Sequence, residues 1–270
     1  MSLLRGRRGG GWLCAWLVVV AAPGAAARGQ DLGDRIARAP DGYVRFTYEA
    51  RPGVCGNGRS ISVRDDDPRR REDELRRSRD WDWECEEGPI RAELRVRGGV
   101  VRDLDIEVGG IRDSRSGQVT DLGDVPPAIA AEYLFRLAET GPPEVGKDAL
   151  FPATIARGVV AWPRLLEIAR GGAETRVRRQ AVFWLGQEAG ERATAGLTSI
   201  IADDDELEVR EHAVFALSQR PEPGAVDALI AIARDNREPM LRKRAIFWLG
   251  QHGDDPRVLD FLEELLRGGP

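Results

Sequence analysis

Between residues 40 and 112, apolar and polar positions alternate with a period of two, which is typical of β-strands that bury one face. Val44, Phe46 and Tyr48 alternate with polar neighbours in the first such stretch. Shorter alternations follow at Ile61 and Val63, and again from Ile90 through Val96. The pattern predicts a small antiparallel β-domain over residues 40–112.

The clearest element of this part is a hairpin around the glycine pair that follows Arg97. A two-residue turn would place apolar residues opposite charged ones, whereas a three-residue loop over Gly98–Val100 keeps the apolar residues on one face. This register also sets Arg95 opposite Asp103 and Arg91 opposite Glu107, and such cross-strand pairs contribute a few tenths of a kcal/mol each. We therefore predict the three-residue loop.

Two cysteines in this part of the chain indicate a disulfide. Trp81, Trp83 and Cys85 share one strand parity, after a charged stretch over residues 65–80 that cannot be core. The two tryptophans are more typical of a core than of an aromatic ligand platform, although either would show this alternation. Cys55 and Cys85 are the two cysteines outside the N-terminal 27 residues, and without nearby histidines they do not make a zinc site. We expect them to form one disulfide in an oxidising compartment.

The C-terminal half repeats every 32 residues. Ala181, Ala213 and Ala245 occupy the same place in three copies of a helical pattern, each preceded by a second apolar helix pattern. The copies read as follows: VRRQAVFWLGQ from Val177, VREHAVFALSQ from Val209 and LRKRAIFWLGQ from Leu241. We predict three two-helix repeats over residues 158–270, the last followed by a closing helix.

A degenerate copy precedes the three repeats. Val145 and Ala149 lie 32 residues before Val177 and Ala181, but Pro152 falls inside what should be a helix and is expected to bend or end it. We predict a capping repeat over residues 126–157. The remaining parts are assigned as a signal peptide over 1–27 and linkers over 28–39 and 113–125.

These residues resemble the HEAT-repeat family, in particular the short bacterial PBS-lyase HEAT-like repeats. The match covers about residues 126–270 and includes the Val-Arg-x-x-Ala signature in the copies from Val177 and Val209, with Leu241 in place of the valine in the third copy. The resemblance implies an α/α superhelix, so the expected fold class is α+β: the small β-domain followed by an all-α solenoid. It also implies binding of other proteins, and it implies that Arg178, Arg210 and Arg242 are structural contacts between repeats.

One row of each second helix departs from the family pattern. Phenylalanine recurs about 200° from the alanine row, where the family usually has a polar residue, and glutamine recurs four residues later. The predicted partner-binding residues are Phe183, Gln187, Phe215, Gln219, Phe247 and Gln251. Two interpretations stay open. The rings line an exposed inner face and bind a partner, or they fill the space between neighbouring second helices.

The first thirty residues are read as an export signal. Arg5, Arg7 and Arg8 precede an apolar run from Trp12 to Ala22, which is too short to span a bilayer. Removing residues 1–27 would move the formal net charge from −5 to −8. Such an acidic protein is a poor nucleic-acid binder. We expect a periplasmic or extracellular protein without a membrane span.

Candidate catalytic groups are sparse. The two histidines, His212 and His252, lie in different repeats without zinc-ligand spacing, and we find neither a phosphate-binding loop nor a nucleophile elbow. We expect no cofactor, no metal and no enzymatic activity. The favoured function is an exported interaction protein with a protein or peptide partner. The alternative is an enzyme or small-ligand binder with its site in the β-domain or at its junction with the solenoid.

Overall fold

The computed structural model describes residues 32–63, 85–110, 117–188, 190–220 and 223–268. The predicted signal peptide, the charged stretch over 65–80 and the two tryptophans at 81 and 83 lie outside these ranges. Within them, no helix is both long and apolar enough to cross a membrane.

The described residues of the N-terminal part form seven strands in two sheets. They are β1 (Gly42–Tyr48), β2 (Val54–Gly56), β3 (Ile61–Val63), β4 (Glu86–Glu87), β5 (Ile90–Arg97), β6 (Val100–Glu107) and β7 (Val119–Asp124). The larger sheet has the order β6-β5-β1-β7 and the smaller one the order β3-β2-β4. All pairs are antiparallel except β1 with β7, so the larger sheet is mixed. As predicted, Val44, Phe46 and Tyr48 are buried.

The β5–β6 hairpin has the predicted charge pairs but not the predicted loop. Arg91 lies opposite Glu107 and Arg95 opposite Asp103. The turn has only two residues, Gly98 and Gly99, because both adopt the positive φ angles (60° and 72°) that a type I′ turn requires. A register shift after Arg95 leaves Arg102 as an extra residue in β6. The predicted three-residue loop is therefore wrong, and this β-bulge keeps the apolar residues on one face.

The smaller sheet carries the predicted disulfide. Cys55, in the middle of β2, is bonded to Cys85, which directly precedes β4. The bond therefore joins two neighbouring strands, and Cys55 is fully buried.

Both predicted linkers contain regular structure. Residues 32–37 form a helix, α1, whose Leu32 and Ile36 are buried, and β7 lies inside the range 113–125. The linker prediction is wrong at these positions, because a few buried apolar residues suffice to hold a short element onto an existing sheet.

Nine further helices follow β7 in the described residues. They are α2 (Pro127–Thr140), α3 (Pro143–Thr154), α4 (Trp162–Arg170), α5 (Thr175–Gln187), α6 (Glu191–Asp203), α7 (Leu207–Ser218), α8 (Pro223–Asp235), α9 (Pro239–Leu249) and α10 (Pro256–Leu266). Consecutive helices pack in the pairs α2–α3, α4–α5, α6–α7 and α8–α9. The second helices α3, α5, α7 and α9 also pack side by side. A sheet region followed by a helical array confirms the predicted fold class.

The helical array is built as the apolar periodicity requires. Ala181, Ala213 and Ala245 are fully buried where each second helix faces its partner. In the preceding pair, Pro152 lies inside α3. The helix continues for two residues beyond it and ends at Thr154.

The larger sheet and the α2–α3 pair share one core. The Tyr48 hydroxyl donates to the Pro152 carbonyl oxygen (2.9 Å), and the Phe46 and Tyr133 rings meet edge to face at 6.3 Å. The chain after β1 also pairs with the chain after α3, through a bridge between Ala50 and Ala156. The sheet is thus fixed to the first helix pair.

Candidate functional site

The second helices carry a row of aromatic rings on the side away from their partner helices. Phe183 on α5 and Phe215 on α7 are half-buried, whereas Phe247 on α9 is 57% exposed. Phe151 occupies the equivalent place on α3 and is half-buried. The predicted residues therefore lie at matching places on neighbouring helices.

Indole rings of the following repeat account for much of this burial. Phe151 stacks on Trp184, with ring centroids 4.8 Å apart, and Phe215 contacts Trp248 at 5.0 Å. Among the described residues, Phe183 has no such partner in the next repeat, because Ala216 stands where the sister repeats have tryptophan. The row consequently forms two aromatic clusters, one centred on Trp184 and the other on Trp248.

Each of the two sequence-based interpretations of the phenylalanine row describes part of it. Phe215 packs between neighbouring second helices and still keeps part of its ring accessible. Phe247 is the most exposed of the set, since no further second helix follows α9 in the described part of the chain. The three glutamines, Gln187, Gln219 and Gln251, are all exposed.

A cavity of about 410 Å³ opens beside Phe215. Its lining comes from three repeats: Arg179, Glu208, Glu211, His212, Phe215, Arg244 and Trp248. Arg179 pairs with Glu208 at 3.2 Å, and Arg244 pairs with Glu211 at 3.3 Å. The cavity therefore has an aromatic floor and a rim of ion pairs between repeats.

His212 holds a proton less readily in this cavity than a free histidine does. Burial lowers the pKa of His212, and the positive charge of Arg179 lowers it further. Its ring lies 5.8 Å from the Phe215 ring. His212 therefore adds to the aromatic floor without adding a positive charge.

The arginine row makes structural contacts. Arg178 donates to the Ala169 carbonyl oxygen (2.8 Å) and forms an ion pair with Asp204 of the next repeat. Arg210 donates to Ile201 O (2.8 Å), and Arg242 donates to Asn236 O (2.7 Å). Arg178 thus links two repeats, whereas the contacts of Arg210 and Arg242 are to carbonyl groups of their own repeats.

A second kind of contact between repeats was not predicted. Arg220, 3% exposed, directs its guanidinium to Gly186 O (3.1 Å) and Glu188 O (2.6 Å), at the end of α5. One repeat later, His252 Nε2 donates to Ser218 O (2.9 Å) at the end of α7. The residues at these places differ in every repeat, so the 32-residue pattern carries no signal for this contact.

A larger cleft of about 740 Å³ lies where the sheet meets the helices. It is lined by Tyr48, Glu49, Ala50, Gly88, Pro89, Asp124, Val125, Pro126, Pro127 and Arg157. An ion pair at 3.2 Å joins Arg157 to Glu49 across the junction. In the described ranges, no three His, Cys, Asp or Glu side chains are grouped so that they could hold a metal ion.

Comparison with known proteins identifies the helical array. The family model for HEAT repeats matches residues 162–247 and, in an overlapping second match, residues 194–270. A search of curated proteins found no match to the chain.

Proposed function

We propose that the protein is an exported, non-enzymatic interaction protein. Residues 162–270 of this chain are HEAT repeats, a helical-repeat scaffold of the kind that commonly mediates protein interactions. Its partner, a protein or an extended peptide, binds along the second helices α5 and α7. Export is supported by the apolar run after Arg8 and by the disulfide, which is typical of oxidising compartments.

The observation that carries this proposal is the half-exposed aromatic row. The Trp248 ring, 5.0 Å away and tilted by 50°, packs against Phe215, and Gln219 beside it is exposed. Rigid aromatic side chains that keep part of their surface accessible are enriched in interface cores, where they lose little conformational entropy on binding. The ion pairs around Phe215 would form the polar rim of such an interface.

Replacing Phe215 by alanine tests the proposal. A photo-crosslinking residue at Gln219 in intact cells identifies the captured protein, and titration with that protein then measures affinity. We expect F215A to weaken binding by about 30-fold or more, as for a hot spot, while a half-buried ring costs only about 1–2 kcal/mol of stability in urea melts.

Trp162 on α4 provides the matched control. It is also half-buried, but it lies on a first helix, where its ring contacts Arg192 at 5.9 Å. W162A should lose a similar amount of stability and keep the affinity. Equal affinity losses in both variants, or none in F215A, would contradict the proposal.

The cleft at the sheet–helix junction supports a second candidate, a small-ligand site. Its volume is within the usual range of about 300–1,000 Å³, and Glu49, Asp124 and Arg157 supply polar groups above proline walls. This function would predict that R157E abolishes binding of the native ligand while F215A leaves it unchanged.

A further inference from the structure

The middle repeat differs from its neighbours at one exposed and one half-buried position around Phe215. Glu208 stands where the sister repeats have Arg176 and Met240, and Glu211 stands where they have Arg179 and Lys243. Positions that agree in all copies maintain the packing of a repeat array, so exposed positions at which one copy departs are free to set what the surface binds. The α7 surface is therefore locally acidic between two basic neighbours.

The two glutamates keep hydrogen-bonding capacity inside the cavity. Each pairs with its arginine through Oε2 only, at 3.2 Å for Glu208 and 3.3 Å for Glu211. Among the described residues, the Oε1 atoms of both carboxylates accept no hydrogen bond. Both side chains line the same cavity as Phe215 and Trp248, so two acceptors stand beside an aromatic floor.

A cation suits this arrangement better than an anion. Aromatic faces attract positive charge through their quadrupole, and a guanidinium or ammonium also donates to carboxylates. Arg179 and Arg244, the two arginines of the lining, are already paired with these glutamates, and the lowered pKa of His212 disfavours a further positive charge for an anion to meet. The formal net charge of the chain is −5, so its long-range field attracts basic ligands and repels acidic ones.

We propose that this cavity binds an arginine or lysine side chain of the partner. The cation lies over the rings of Phe215 and Trp248 and shares the carboxylates of Glu208 and Glu211 with Arg179 and Arg244. This inference rests on the proposed function, because it specifies the chemistry of the segment that the second helices bind.

Model side chains test the inference without the partner. Isotope-labelled protein is titrated with N-acetyl-arginine amide or with N-acetyl-glutamate amide, and the indole N–H signal of Trp248 is followed by NMR. We expect a saturable shift with the arginine compound and a much smaller one with the glutamate compound. An equal or larger response to the glutamate compound would overturn the assignment.

The double variant E208Q/E211Q removes the two charges with little change of shape. We expect the apparent affinity for the arginine compound to fall about fivefold or more. The control variant E263Q, which removes an exposed carboxylate on α10, should leave this affinity unchanged. Urea melts check that the double variant is folded. Undiminished affinity in the folded double variant would overturn the inference. If F215A then still weakens partner capture, the proposed function stands without it.

Discussion

At the scale of single residues, Arg220 closes the end of a helix that belongs to the preceding repeat. The last carbonyl groups of a helix have no partner within it, and those at the end of α5 are covered by the next repeat. The planar fork of the Arg220 guanidinium reaches Gly186 O in the last turn of α5 together with Glu188 O and Gly190 O in the connection to α6. It also donates to Thr194 Oγ1 at 2.7 Å, which ties α6 to the same point.

Replacing Arg220 by methionine should destabilise the protein by about 3–5 kcal/mol, because several buried carbonyl groups lose their donor at once. H252A, at the same place one repeat later, removes a single hydrogen bond and should cost about 1 kcal/mol. Urea midpoints of the two variants measure the difference. Losses of equal size would show that the guanidinium contributes no more than one bond.

The sequence predicts the positions of the phenylalanine row but not its burial. The 32-residue period places Phe183, Phe215 and Phe247 at equivalent positions on three helices. Their contacts depend on what the following repeat offers, which is alanine for the first, tryptophan for the second and no second helix among the described residues for the third. Arg220 could not be found, because its acceptors are backbone groups of another repeat and leave no mark in the side-chain pattern.

At the scale of elements, α5 and α7 approach each other closely at one point. A Cβ atom at Gly186 would lie 2.9 Å from the Ala216 Cβ and 3.2 Å from its carbonyl oxygen. The same position in the third repeat, Gly250, has open space around it. Ala216 replaces the tryptophan of the sister repeats at this contact, which explains the break in the aromatic row.

Two glycine-to-alanine changes should therefore have opposite effects. Alanine ordinarily stabilises a helical position by about 0.5–1 kcal/mol relative to glycine, and G250A should show a gain of this kind. G186A should instead lose about 1–3 kcal/mol, because the new methyl group overpacks the contact with α7. Thermal melts of the pair give the sign of each change. A stabilised G186A would mean that the two helices separate without cost.

The hairpin shows how far elements can be predicted. The parity of the apolar residues predicts the register, and the pairs of Arg91 with Glu107 and of Arg95 with Asp103 favour it. The extra residue was assigned to the loop, although it lies in β6 at Arg102. The parity of the side chains fixes how many residues separate two paired positions. It does not determine whether an extra residue lies in the loop or in a strand as a β-bulge. That choice depends on the backbone angles of Gly98 and Gly99.

At the scale of the whole molecule, the sheet acts as the cap of the helical array. Arg51 N–H donates to Ile155 O (2.8 Å) and Arg157 N–H donates to Glu49 O (2.9 Å), so backbone hydrogen bonds join the two parts. Terminal repeats cannot bury both faces against neighbours, and here the sheet covers the first pair. We therefore expect the sheet and α2–α3 to unfold as one unit.

Y48F tests this unit, because it deletes the hydroxyl that bonds Pro152 O inside the shared core. It should cost about 1–2 kcal/mol, and hydrogen exchange should accelerate in β1 and α3 together while α8 and α9 stay protected. Y133F is the control, since the Tyr133 hydroxyl makes no hydrogen bond among the described residues. Faster exchange confined to β1 would contradict a common unit.

The unequal contacts of Arg220 and His252 have a mechanical consequence. At the ends of the second helices, the boundary between the first and second repeats has a buried guanidinium with several bonds, whereas the next boundary has one imidazole bond there, beside the Arg244–Glu211 ion pair and the Phe215–Trp248 contact. Under a bending load, angular displacement in a stack of joints concentrates at the most compliant one. A ligand that changes the pitch of this superhelix would therefore flex it between the second and third repeats, while the first two move as a stiff lever anchored to the sheet.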